Sequence, residues 1–203
     1  MQSPSAERPV LLIVAGPNGS GKSTAYLDVG LQPAGRPVWI INPDLLAARI
    51  RNVEKLSLNS ANIEAVRRIE AWLHTSVSAH QTVGVETVLS TGKYRKLVLA
   101  AKKLQFEIQF YYVILDSPDR NVQRVRLRVK AGGHAVPEDK IRERYVRSLE
   151  QMPWFLEHAD QAWLIDNSGA EPRLIGMKQH GTIRLDEDIL PVVDRAVRTI
   201  SSD

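Results

Sequence analysis

Short apolar runs alternate along the chain with longer stretches in which apolar residues recur every three or four positions. That alternation predicts an α/β fold with a mainly parallel sheet. Five strands are expected: Val10 to Ala15 (VLLIVA), Val38 to Ile41 (VWII), Thr82 to Val85 (TVGV), Phe106 to Leu115 (FEIQFYYVIL) and Gln161 to Ile165 (QAWLI). Helical periodicity fills the intervals at Lys22 to Asp28, Pro43 to Arg51, Ala61 to Ser78, Arg95 to Leu104, Pro118 to Lys130, Pro137 to His158 and Glu187 to Ile200. No internal repeat or low-complexity segment interrupts the pattern. The 203 residues suit one domain, residues 1–203, with loose pieces expected at the first eight residues, Gly30 to Arg36 and the last few positions.

Composition narrows the function classes. With 43% hydrophobic and 25% charged residues the chain can build a core, which removes disordered and collagen-like readings. The absence of cysteine excludes disulfides, thiolate metal sites and a cysteine nucleophile. The longest apolar run, Val10 to Ala15, is far too short for a bilayer span, and the opening MQSPSAERP has no signal-peptide character. A cytoplasmic protein without a membrane partner is the expectation. The overall charge of +4 is concentrated: Arg120 to Arg147 holds nine bases and three acids, a net of +6, leaving −2 elsewhere. Only Tyr145 interleaves with these bases, so local handling of an anion is expected rather than nucleic-acid binding.

The first predicted strand runs into Gly16-Pro17-Asn18-Gly19-Ser20-Gly21-Lys22-Ser23-Thr24, a P-loop pattern opening a helix. Its glycines let successive backbone N–H groups turn inward onto phosphate oxygens, and the helix adds its positive end. Lys22 would reach the β- and γ-phosphates of ATP, and the Ser23 hydroxyl would be a ligand of Mg²⁺.

Ligands of parallel α/β sheets lie beyond the carboxyl ends of the strands, so residues just after each strand are candidates. The second strand ends in Asn42-Pro43-Asp44, a helix start in which Asn42 caps and Pro43 takes the first turn. Asp44 is either an acid favourable at that helix start or the group that takes the proton of a substrate hydroxyl. Glu86 closes the third strand and interrupts an apolar stretch. A carboxylate there holds a cation or a substrate hydroxyl, or forms a structural ion pair. Two acids near one P-loop suit a polyol or sugar acceptor, with Glu86, Thr87 and Thr91 as candidate substrate contacts.

Arg124 and Arg128 share a helical face, as do Arg144 and Arg147, and like charges so placed favour an anion or facing acids. Between the two helices lies AGGHAVP (Ala131 to Pro137), with two glycines for movement and proline at a helix start. Residues 124–147 therefore read as a lid that brings guanidinium groups to the transferring phosphoryl, or else as a solvated basic hairpin. His134 in the loop is more often a spectator than a phosphate contact. Asp116, after the apolar strand, could instead serve an ATPase or switch as a Mg²⁺ ligand, although Ser117-Pro118-Asp119 reads as the start of the next helix. A polynucleotide kinase is a third reading, whose binding would fall steeply with salt.

In the ordered combination of GPNGSGKST, NPD (Asn42 to Asp44), ETVLST (Glu86 to Thr91), RVRLRVKAGGHAVP (Arg124 to Pro137), RERYVRSL (Arg142 to Leu149) and DNS (Asp166 to Ser168), the chain resembles the zeta-toxin-like P-loop kinases in their short form. The resemblance implies a three-layer P-loop sandwich with a five-stranded, mainly parallel sheet and a helical lid. It implies ATP and Mg²⁺, transfer to an alcohol such as the 3′-hydroxyl of UDP-N-acetylglucosamine, and a protein antitoxin as partner. By motif it implies Asp44 as general base, Lys22 and Ser23 as phosphate and Mg²⁺ contacts, and Arg128 and Arg144 as lid arginines, with Arg126 and Arg142 competing for those places. Glu86 would assist on the acceptor side, and Asn167 would lie near the adenine.

Overall fold

A computed structural model describes residues 8–24, 38–133 and 135–202. Its strands are β1 (Val10–Ala15), β2 (Ile40–Ile41), β3 (Val83–Thr87), β4 (Glu107–Ile114), β5 (Gln161–Asp166), β6 (Arg173–Gln179) and β7 (Thr182–Leu185), in one sheet ordered β2-β3-β1-β4-β5-β6-β7. The first five pair in parallel, and β6 and β7 continue the sheet antiparallel. The helices are α1 (Pro43–Glu54), α2 (Leu58–Ser78), α3 (Arg95–Lys103), α4 (Pro118–Lys130), α5 (Glu138–His158) and α6 (Pro191–Arg198). Among the described residues no helix is long and apolar enough to cross a membrane.

β1 lies inside the sheet, between β3 and β4, and has no polar side chain to leave in water. All six of its residues are buried, as expected of a strand covered on both faces. Leu11, Ile13 and Ala15 join a core with Ile69 and Leu73 of α2, Val98 of α3 and Phe155 of α5. Val10, Leu12 and Val14 face the other way, with Tyr111 and Val113. Burying side chains of this size stabilises by about 1.5–3 kcal/mol each, so β1 is a rigid post for whatever follows Ala15. Helix α1 packs on α2 through Ala47 and Ile50 against Ala61 and Ala65.

The α/β P-loop architecture is as expected, but the sheet has seven strands instead of five. The extra hairpin turns at His180 and Gly181, both at positive φ (48° and 77°), the two-residue geometry that matches the twist of paired strands. Charged residues in Arg173 to Leu185 hide its alternation. The predicted 38–41 strand shortens to Ile40–Ile41, although the Trp39 carbonyl still accepts from Gly84 N at 3.0 Å. The third strand extends to Thr87, so Glu86 and Thr87 lie within it. The last helix starts at Pro191 rather than Glu187, since proline holds Leu190 extended (φ −60°, ψ 128°). Helix α2 begins at Leu58, where Ser57 Oγ caps it by accepting from Ser60 N at 3.1 Å. The chain is helical at 22–24, and the rest of the helix expected to Asp28, the Gly30 to Arg36 stretch and His134 lie outside the described residues.

Candidate active site

Register brings the ends of three strands to one level. Ala15 pairs with Thr87 and Ile41 with Val85, so the P-loop, Asn42 and Glu86 emerge side by side. The loop is built on close backbone approach. A Cβ on Gly16 would fall 2.0 Å from the Val113 carbonyl, and one on Gly21 (φ +87°) would fall 2.2 Å from Asn167 Nδ2. Asn167 Nδ2 donates to the Ser20 carbonyl at 2.8 Å, and Arg124 Nη2 holds the Asn167 carbonyl at 2.7 Å. The Asn167 side chain, expected near the adenine, thus clamps the P-loop at Ser20 and Gly21. Gly21→Ala should strain this clamp by roughly 1–3 kcal/mol, lowering both Tm and ATP affinity. A variant unchanged in both, measured by thermal melting and titration calorimetry, would contradict the clamp.

Lys22 is 7% exposed, and its Nζ donates to the Gly16 and Pro17 carbonyls at 2.8 and 3.1 Å. Burial lowers its pKa. Glu86 and Asp44 push the other way, and Arg128 adds to the lowering. Lys22 therefore shares one electrostatic neighbourhood with Asp44, Glu86 and Arg128.

Glu86, 8% exposed, stands 3.9 Å from Lys22 Nζ through Oε1. Its Oε2 accepts from Ser23 Oγ at 2.8 Å and from Asn42 Nδ2 at 2.9 Å. Glu86 is therefore beside the hydroxyl expected to bind Mg²⁺, a placement that acceptor contact alone did not anticipate. Ser23 and Glu86 supply hard oxygens, the donor set Mg²⁺ takes from protein when substrate phosphates and water complete its shell. No group of three or more His, Cys, Asp or Glu that could hold a metal occurs among the described residues.

Asn42 works in two directions. Its Oδ1 caps α1 by accepting from Asp44 N at 2.9 Å and Leu45 N at 3.2 Å, while its Nδ2 holds Glu86. One side chain thus fixes the proposed base relative to the Ser23–Glu86 pair. The Asp44 side chain is exposed and lines a cleft of about 390 Å³ between α1, α2 and the glycines at the α4–α5 turn.

Helices α4 and α5 form the expected hairpin, joined by Val122, Val125 and Ile141. Asn121, fully buried on α4, donates Nδ2 to the Asn18 carbonyl at 2.7 Å. Arg144 Nη1 reaches Asn18 Oδ1 at 3.2 Å, and Gly133 packs so closely on Arg128 that a Cβ would come within 2.6 Å of its Cγ. The competing arginines are occupied elsewhere: Arg126 pairs with Glu138 at 2.5 Å and Arg142 with Asp119 at 2.6 Å. Asp116 is likewise committed to Arg120 at 2.8 Å and to Ser117 Oγ at 3.0 Å, so Glu86, not Asp116, is the carboxylate at the P-loop serine. Thr87 receives Gly16 N on its carbonyl at 3.2 Å and Leu89 N on its hydroxyl at 3.1 Å, which ties the strand end to the loop. Thr91 and Thr24 are exposed. Asn121 and Arg124 were not foreseen as loop supports. The signal for Asn121 was an amide between buried valines on one helical face.

A family model described as an AAA domain matches residues 11–151. A protein of Haemophilus influenzae, described as uncharacterized, is 32% identical over 136 residues, 66% of this chain and 91% of its own. Among solved structures, AvrRxo1-ORF1:-ORF2 with ATP superposes with a TM-score of 0.70 at 14% identity, covering 97% of this chain. The chain spans 64% of that protein's length. The PezAT chromosomal toxin-antitoxin system of Streptococcus pneumoniae superposes at 0.63 with 14% identity, covering 99% of this chain and 88% of that one. The Pnkp1/Rnl/Hen1 RNA repair complex follows at 0.55 with 17% identity over 93% and 55%. The expected kinship with zeta-toxin-like P-loop kinases holds at the level of the fold.

Proposed function

Because the chain belongs to the AAA domain family and carries a P-loop kinase fold, we propose that it transfers the γ-phosphate of ATP to a hydroxyl of a sugar or nucleotide sugar. The observation that carries this reading is that Asn42 ties the start of α1, where Asp44 opens onto a cleft, to Glu86 beside Ser23 and Lys22 of the P-loop. A hydrolase needs only water beside the γ-phosphate; a kinase needs a cleft on the base.

In the proposed reaction the Gly16 to Thr24 backbone cradles the phosphates of ATP and Lys22 leaves its loop carbonyls for the phosphate oxygens. Asp44 orients the acceptor hydroxyl and takes its proton as the oxygen bonds to the γ-phosphorus. The bond from that phosphorus to the β–γ bridging oxygen breaks, and its electron pair leaves on ADP. Ser23 and Glu86 would hold Mg²⁺, which when bound would supply positive charge at the phosphate oxygens. Arg128 and Arg144 meet the charge that builds on the transferring group. The family resemblance supports UDP-N-acetylglucosamine as one acceptor to test, and the likeness to PezAT supports a protein antitoxin as partner.

Incubating the protein with Mg-ATP and a panel of sugars, polyols, nucleotide sugars and oligonucleotides, with mass spectrometry of the products, tests the reading. A phosphorylated small alcohol is expected, and phosphorylated oligonucleotides alone would contradict it. Arg128→Ala or Arg144→Ala should lower kcat by roughly tenfold to a hundredfold with a smaller rise in the KM for ATP, the pattern of groups that act in the transition state. A raised KM at unchanged kcat would make them binding groups only.

A further inference from the structure

Building on that kinase reading, we infer that the acceptor is a hydroxylated anion of monosaccharide size, whose phosphate or carboxylate is held by Arg51. The starting point is a stripe on α1. Asp44, Ala47, Ala48, Arg51 and Asn52 follow the spacing i, i+3, i+4, i+7, i+8, which is one face of a helix, and all five line the 390 Å³ cleft. The proposed base stands at one end of the stripe and a cation near the other. Between them two alanines leave a floor with nothing beyond Cβ, so a ligand can lie close along the helix.

Arg51 is the cation lining that cleft, and it has no partner among the described residues, because the nearest acid of its own helix, Glu54, is held by Arg68 of α2 through two bonds of 2.6 and 2.8 Å. A free guanidinium fork fits the paired oxygens of a phosphate or carboxylate. Asp44 repels the same group, so the two charges orient an anionic acceptor with its anion at Arg51 and a hydroxyl at Asp44. Seven residues at the helical rise separate them by about 10 Å along the axis, the span of one sugar ring with its substituent. A nucleotide sugar, with a second ring, a diphosphate and a base, overruns that span.

The other walls suit such a molecule. Asn52 on α1 and Asn62 on α2 both line the cleft, giving amide donors and acceptors for ring hydroxyls. At the lid tip a Cβ on Gly132 would meet nothing within 4 Å, so bare backbone borders the ligand there. The cleft volume falls within the range of small-molecule sites, about 300–1,000 Å³.

The test measures initial rates with Mg-ATP for a hexose phosphate, a hexuronate, the corresponding neutral hexose and UDP-N-acetylglucosamine. At least one anionic hexose is expected to exceed the neutral hexose and the nucleotide sugar in kcat/KM by roughly tenfold or more. Arg51→Ala should remove that advantage through the acceptor KM while leaving the ATP Kd unchanged, and Arg51→Lys should restore part of it. Ala48→Leu, which fills the floor, should raise the same KM. Equal rates for the neutral hexose, preference for the nucleotide sugar, or an indifferent Arg51→Ala would overturn this inference and leave the kinase reading standing. ATP hydrolysis with no phosphorylated product from any of the four would overturn both.

Discussion

Asp44→Asn is expected to lower phosphoryl transfer by about 10²–10⁴-fold, the usual contribution of a positioned general base, while ATP binding stays close to that of the wild type. The separation follows from how the residue is held. The Asn42 cap bonds the main-chain N of residue 44, not its carboxylate, so asparagine leaves the start of α1 intact. The charge lost from the first turn costs about 0.3–1 kcal/mol through the helix dipole, too little to unfold the protein. Glu86, Ser23 and the loop make no hydrogen bond to the Asp44 side chain among the described residues. Acceptor turnover and ATP calorimetry on the same preparation check the result. Full transfer activity in the variant rules out the role as base.

Lys22→Ala should damage both binding and turnover. Nζ is the cationic side-chain donor of the Gly16 to Thr24 loop, and a charged hydrogen bond of this kind is worth about 1.5–3 kcal/mol, or roughly tenfold to a hundredfold in the ATP Kd. Turnover falls further because the same charge follows the transferring group. The substitution also leaves Glu86 buried without its cation at 3.9 Å, so a lower Tm accompanies the loss. Lys22→Arg should not restore function, since a planar guanidinium does not occupy a buried site shaped for an ammonium between two carbonyls. An unchanged ATP Kd in Lys22→Ala would contradict the assignment.

Much of the site was legible because its constraints are local. The glycines at 16 and 21 are required because a Cβ would come within about 2 Å of the Val113 carbonyl and of Asn167 Nδ2 respectively, and those requirements are written in residue type and spacing. Asn42, Pro43 and Asp44 likewise follow from how a helix must begin. What was not legible depends on register and on packing between distant segments. Glu86 stood out as a charge in an apolar strand, but its contact with Ser23 arises from the pairing of β1 with β3 and of β2 with β3, which no residue announces.

The lid arginines lie between these cases. Arg142 and Arg144 look equivalent by composition and flank the buried face of α5, which holds Ile141, Tyr145 and Ser148; what separates them is tertiary, since Arg144 reaches Asn18 of the P-loop while Arg142 pairs with Asp119 of α4. The α1 stripe was similarly present in the spacing of two alanines and an arginine, but a stripe of small residues acquires meaning only when the cleft above it is known.

The most direct measurement is a crystal structure of the protein with a non-hydrolysable ATP analogue, Mg²⁺ and a bound acceptor. The expected result places an Asp44 carboxylate oxygen about 2.6–3.2 Å from the acceptor hydroxyl, with that hydroxyl facing the terminal phosphorus and Lys22 moved from its loop carbonyls onto phosphate. A ternary complex in which the Asp44 oxygens lie beyond a bridging water from every acceptor hydroxyl would contradict it.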